Sequence, residues 1–133
     1  MKFKMTLTIT CVIGLVFSIG MFLFPEFVTR EQFAHSEGRG FEDLVTLRYA
    51  IASLILALVV ITYHLRGIEG ILFQQNIMRG YWIAFSIVFI TNIVLQLLGK
   101  ISAVPPTIGT GIIVLFTFLA WRNLVKLSSE ETD

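Results

Sequence analysis

The sequence predicts an all-α membrane protein, a four-transmembrane-helix bundle with both ends on the cytoplasmic side (N-in/C-in). Three observations carry that expectation. Apolar residues make up 56% of the 133-residue chain and charged residues only 14%, whereas a soluble domain is about one-quarter charged. Charges interrupt the chain at intervals close to one bilayer crossing. The uncharged runs between them lack the polar face that a helix needs on the surface of a water-soluble protein.

Three runs are clean. Residues 5–25, bracketed by Lys4 and Glu26, are 21 uncharged positions; 80–99, between Arg79 and Lys100, are 20; 101–121, between Lys100 and Arg122, are 21. As helices rising about 1.5 Å per residue, each can cross a hydrocarbon core of roughly 30 Å. The remaining span needs an argument. Only 15 uncharged residues separate Arg48 from His64, so the span is extended to 44–65 with Arg48 about one turn inside its end. There an arginine stem can carry the guanidinium to the interface. The expected spans are thus about 5–25, 44–65, 80–99 and 104–122 in a single integral membrane domain, residues 1–133. Lys2, Lys4 and the small residues Ser18-Ile19-Gly20 imitate a signal peptide, but the apolar run continues through Phe24, so the first span is expected to be retained. Cys11, preceded by Thr10, does not fit a lipoprotein site.

Orientation follows from Lys and Arg in short loops. With both ends inside, Lys2, Lys4, Arg66, Arg79, Arg122 and Lys126 are cytoplasmic, against Arg30, Arg39, Arg48 and Lys100 outside. Tyr63, Tyr81, Trp82 and Trp121 then form one aromatic belt. Pro25 ends the first span, and a short helix around 26–35 lying at the interface would place Phe27 in lipid. Ser36-Glu37-Gly38-Arg39-Gly40 reads as a turn. The segment 66–79 is expected to lie on the inner surface, Pro105-Pro106 to open the last helix, and 128–133 to form a polar, mobile tail.

Composition also excludes functions. Ten Lys and Arg against nine Asp and Glu leave a net charge of +1, too little to attract nucleic acid. One cysteine rules out an intramolecular disulfide, a cysteine zinc site and a dithiol oxidase. No acidic residue lies within the first, third or fourth span, which argues against a carboxylate-driven proton exchanger. No H-E-x-x-H, G-x-S-x-G or P-loop is present. Neither Ser53 nor Ser86 has a group to orient it with His64 as a nucleophile. Haem needs a second axial ligand, and His35 falls on the opposite side from His64. No catalytic residue, metal ligand or cofactor is therefore assigned.

Two features remain. Arg48, Tyr49, Asn92 and Gln96 fall in the same outer half, and Asn92 and Gln96 share a helix face at a spacing of four. They are the candidate ligand-binding set for the polar head of a lipophilic molecule or lipid. The bland alternatives are snorkelling or pairing with a loop carboxylate for Arg48, and interhelical hydrogen bonding for the amides. The small residues Thr10, Gly14 and Ser18 on the first span, and Ser53 and Ala57 after Tyr49 on the second, recur every four positions as helix-packing faces.

Phe24-Pro25-Glu26 after the first span, with Leu47-Arg48-Tyr49-Ala50 opening a small-residue-rich second span, resembles a broad bacterial group of small four-span membrane proteins. That group is similar to DoxX-like proteins and to the membrane scaffold of the sterol pathway. The resemblance implies an accessory or scaffold protein and assigns Arg48 as a structural arginine. The second span lacks the glycine that often accompanies that arginine in such proteins, Ala50 and Ser53 being the nearest small residues. The leading expectation is a small non-enzymatic structural or accessory protein in a prokaryotic inner membrane. Its partners would be lipids and either its own copies or a larger membrane complex, with no nucleic acid. The alternative is a binder or carrier of a lipophilic molecule or lipid at the outer-half polar set.

Overall fold

The computed structural model describes residues 2–130, the last without its side chain; the final three residues of the expected tail lie outside this range. Regular structure among the described residues is entirely α-helical: α1 (Phe3–Leu23), α2 (Pro25–Gln32), α3 (Gly38–Leu65), α4 (Ile71–Leu97) and α5 (Pro105–Glu130). The helices α1, α3, α4 and α5 are each long and apolar enough to cross a membrane. Large apolar side chains such as Val16, Leu54, Ile87 and Leu115 are exposed along them, a surface suited to acyl chains and not to water.

These helices cover most of the expected spans, stopping two residues short of the first and third at Leu23 and Leu97, and three of them extend well beyond the expected bounds. α3 begins at Gly38 and not at 44, α4 at Ile71 and not at 80, and α5 continues to Glu130 and not to 122. A charge ends contact with hydrocarbon but does not end a helix, because Arg, Glu, Gln and Met are good helix formers. Backbone geometry sets the real boundaries. Gly70, with φ +96°, precedes α4, and Gly99, with φ +66°, follows it. Lys100 N donates to Leu95 O and Gly99 N to Gln96 O, the paired bonds that close a helix on a left-handed residue. Most of the segment 66–79, expected as a surface loop, is therefore the opening of α4. Its Gln75 ties α4 to α5 by donating to Leu124 O at 2.8 Å and Ser128 Oγ at 2.7 Å. Pro25 stands at the first turn of α2, where its missing N–H costs nothing.

α1 packs on α3, and α4 on α5; the two pairs meet chiefly where α1 lies against α5, and α2 folds back on α3 and α1. α3 and α4 do not form a packed pair. Glycine brings α1 close to both neighbours. A Cβ on Gly14 would stand 2.7 Å from Val59 Cγ2, and one on Gly109 2.6 Å from Phe17 Cε2. Thr10 and Ser18, on the same face as Gly14, are buried, and Ser18 Oγ donates to Ala52 O of α3 at 2.9 Å. The α3 face that receives them carries Arg48, Ala52 and Val59. Tyr49, Ser53 and Ala57 are exposed on other sides of that helix.

At the end of the bundle that carries both termini, Phe3, Leu7, Met78, Ala120 and Leu124 form a buried core joined by Leu65 of α3. At the opposite end, Ser102 before α5 binds the end of α2, its Oγ donating to Glu31 O at 2.6 Å and its N to Gln32 O at 3.1 Å. The middle is less filled.

Gly14→Ala and Gly20→Ala are expected to differ in sign. The first places a methyl against Val59 and should destabilise by roughly 1–3 kcal/mol. The second meets no atom within 4 Å and should be neutral or gain up to about 1 kcal/mol in helix propensity. Thermal unfolding in mild detergent, followed by tryptophan fluorescence, distinguishes them.

Candidate functional site

Because α3 and α4 are not packed together, the centre of the bundle holds a cavity of about 260 Å³. All four long helices line it, mostly with apolar side chains such as Ile13 and Phe17 of α1, Ile55 of α3, Phe85 of α4 and Ile113 of α5. Leu58 of α3 and Val88 of α4 also line it and are 56% and 45% exposed. The cavity therefore opens sideways through the α3–α4 seam, at the level of the spans. Toward the terminal end the seam is closed by one bond, 2.6 Å between Thr62 Oγ1 and Tyr81 Oη. Thr62 itself donates to Leu58 O, so the tyrosine proton is the one that bridges the two helices.

Four lining residues carry polar side chains: Thr10, Thr62, Asn92 and Thr110. A hydroxyl in a helix can bond the carbonyl one turn back, and all three threonines do so. Thr10 donates to Thr6 O, Thr62 to Leu58 O and Thr110 to Pro106 O, at 2.7 to 3.0 Å. Asn92 is different. Its carboxamide makes no hydrogen bond among the described residues, and its atoms are not enclosed by protein. Its two N–H donors and carbonyl acceptor are therefore uncommitted at the wall of a cavity whose lining is almost wholly apolar. In surroundings without water, an unmade amide hydrogen bond costs on the order of 1–3 kcal/mol, which a ligand offering a hydroxyl or carbonyl would recover.

The other residues of the expected polar set lie elsewhere, and the structure does not gather the four into one pocket. Gln96, one turn along α4 from Asn92, donates through Nε2 to Ala103 O at 2.6 Å and Thr107 Oγ1 at 2.9 Å; it closes the α4–α5 hairpin. Tyr49 is exposed, with its ring 6.3 Å from that of Phe22. Arg48 is only 5% exposed. Its Nε donates to Thr29 Oγ1 at 3.4 Å, and its guanidinium lies 5.4 Å from the centre of the Phe33 ring. No ion pair forms among the described residues, so no loop carboxylate holds it. The geometric reason is register. The positions one turn before Arg48 on its own helix are Leu44 and Val45, while Glu42 and Asp43 fall on other faces.

Of the aromatic residues expected in a belt, Tyr63 is exposed while Tyr81, Trp82 and Trp121 are half-buried. Trp82 and Trp121 stack with Phe118 between α4 and α5. His64 bonds Val60 O through Nδ1. No group of three His, Cys, Asp or Glu side chains comes together among the described residues. Sequence reasoning did not single out the Thr62–Tyr81 bond or the placement of Thr29 against Arg48; neither residue type carries a signal without a partner in space.

Replacing the two amides of α4 is expected to have unequal effects. Gln96→Leu strips the Ala103 carbonyl of this donor and should destabilise the detergent-solubilised protein by about 1–2 kcal/mol. Asn92→Leu removes no internal bond and should leave stability unchanged or slightly raised, as thermal unfolding of the two variants would report. No protein family, curated protein or solved structure matches this chain, so its own residues carry the functional reading.

Proposed function

We propose that this protein is a membrane-embedded binder of a neutral lipophilic molecule that carries one hydroxyl or carbonyl end. The observation that carries this reading is Asn92, a carboxamide with no hydrogen bond among the described residues, at the wall of a mostly apolar cavity whose hydroxyls are already bonded to their own helices. Apolar contact gives little net preference within a bilayer, because acyl chains are as apolar as the cavity wall. Selectivity for a ligand over bulk lipid then comes from the shape of the cavity and from a hydrogen bond to Asn92. The α3–α4 seam supplies the route of access. The same features favour binding over chemistry, since no activated nucleophile or acid–base pair adjoins the amide.

Four crossings would put both ends on one side of a membrane, and the Lys and Arg distribution supports the cytoplasmic side of a prokaryotic inner membrane as that side. The α2 end then faces the outer side, and the seam opens near the middle of the spans. In a Cys11→Ser background, cysteines introduced at Lys4 and Lys126 should react with an impermeant thiol reagent only after the membrane is opened.

A second reading, the structural or accessory protein that the resemblance to DoxX-like proteins implies, is supported by the exposed small residues of α3. Ser53 and Ala57 are not used in packing within the chain and suit close approach by another helix, of a second copy or of a larger complex.

Binding is tested with farnesol and its hydrocarbon counterpart farnesene. Farnesol should raise the thermal stability of the detergent-solubilised protein saturably, and farnesene much less. Asn92→Leu should weaken farnesol about 3- to 30-fold, the value of one hydrogen bond in a dry site, and leave farnesene unchanged. Equal responses to both compounds would remove the binding reading. Size measurement on the same preparation addresses the second reading, which a strictly monomeric species without a co-purifying protein would exclude.

A further inference from the structure

Arg48 is a cation enclosed at the level of the spans, without a counter-charge. It is 5% exposed. Above it lies α2, whose Thr29 is fully buried; Thr29 Oγ1 donates to Pro25 O at 2.7 Å and so turns an acceptor toward Arg48 Nε. Phe33 flanks the guanidinium. This accounts for one of its five N–H donors. Neither Nη nitrogen makes a hydrogen bond among the described residues, and neither is sealed from its surroundings. The fork of the guanidinium therefore stands at a narrow opening where α2 folds over α3.

A water-solvating role does not explain this arrangement. A snorkelling arginine extends its head into the headgroup layer, yet this one is covered by a helix and held by a buried threonine. An uncompensated charge in such a place is unfavourable unless something of opposite sign completes it. A planar fork with unused parallel donors matches two oxygens of a phosphate or carboxylate. The elements around the opening also carry exposed apolar side chains, Phe24 and Phe27 of the α1–α2 segment and Leu47 of α3, over which acyl chains can lie. We propose that Arg48 is the anion receptor of a second site, distinct from the Asn92 cavity, that takes the phosphate of a membrane lipid beneath α2. Arg48 does not line the cavity, so this site does not depend on the lipophile reading.

The test is thermal stabilisation of the full chain in neutral detergent by three compounds: phosphatidylglycerol, diacylglycerol with the same chains, and inorganic phosphate. Phosphatidylglycerol should stabilise the wild type saturably and diacylglycerol should not. Arg48→Gln should raise the half-saturating concentration of phosphatidylglycerol roughly 10- to 100-fold, the range for loss of a charged hydrogen-bond partner. Arg30→Gln, which removes an exposed cation stacked on Phe41, should leave it unchanged. Competition by inorganic phosphate supports the anion site and makes the free ion a second source; its absence supports a lipid-only site. A diacylglycerol response matching that of phosphatidylglycerol, or equal losses in Arg30→Gln and Arg48→Gln, overturns the proposal. If Arg48→Gln does not fold, Arg48→Lys keeps the charge without the fork. Several-fold weaker phosphatidylglycerol binding then supports the site, and undiminished binding overturns it.

Discussion

The close approach of α1 to its two neighbours is the constraint on which the remaining structure depends. Gly14 admits Val59 of α3, and Gly109 of α5 admits Phe17 of α1. Within a bilayer the hydrophobic effect does not hold helices together, so such backbone-level contacts, with bonds like Ser18 to Ala52, supply the cohesion. One helix thereby joins two pairs, α1 with α3 and α4 with α5. The outer members of those pairs, α3 and α4, are left apart, and the cavity is the space that this arrangement encloses.

Polar groups divide along the same lines. Hydroxyls on the helices are satisfied one turn back along their own backbone, as Thr10, Thr62 and Thr110 show. Gln96 and Gln75 bind neighbouring segments together. After these structural uses, the Asn92 amide at the cavity and the Arg48 guanidinium under α2 remain incompletely partnered among the described residues, as do the buried Arg66 Nε and Trp82 Nε1. Residual hydrogen-bonding capacity in a dry setting is the most economical physical marker of a ligand.

Much of the architecture was legible in the sequence because hydrocarbon thickness imposes a length that charges reveal. The charges mark off uncharged runs of bilayer length, such as those between Lys4 and Glu26 and between Arg79 and Lys100. They do not delimit helices, since an arginine or glutamine continues a helix into the headgroup region; hence the early start of α4 and the structural role of Gln75. The small-residue stripe on the first span could be read directly, as Thr10, Gly14 and Ser18 face a neighbour. On the second span, the stripe Tyr49, Ser53 and Ala57 points outward while Arg48 and Ala52 point in. A spacing of four identifies a face but not the direction in which tertiary packing turns it.

The candidate site was legible residue by residue and not as a set. Asn92, Gln96 and Arg48 stood out because amides and arginines are rare in spans. Sharing a leaflet half did not make them neighbours: Arg48 turns toward α2, Gln96 toward the α4–α5 hairpin, and Asn92 alone toward the cavity. Those directions depend on which helices adjoin, and that is set by close contacts such as those at Gly14 and Gly109.

The sideways mouth between Leu58 and Val88 has a consequence for occupancy. A molecule using it exchanges with the two-dimensional solution of the surrounding leaflet, so filling follows its mole fraction among the lipids instead of its aqueous concentration. On the proposed reading, sparingly soluble compounds would reach the amide without crossing bulk water, and the packing order of the neighbouring chains would govern how quickly they come and go.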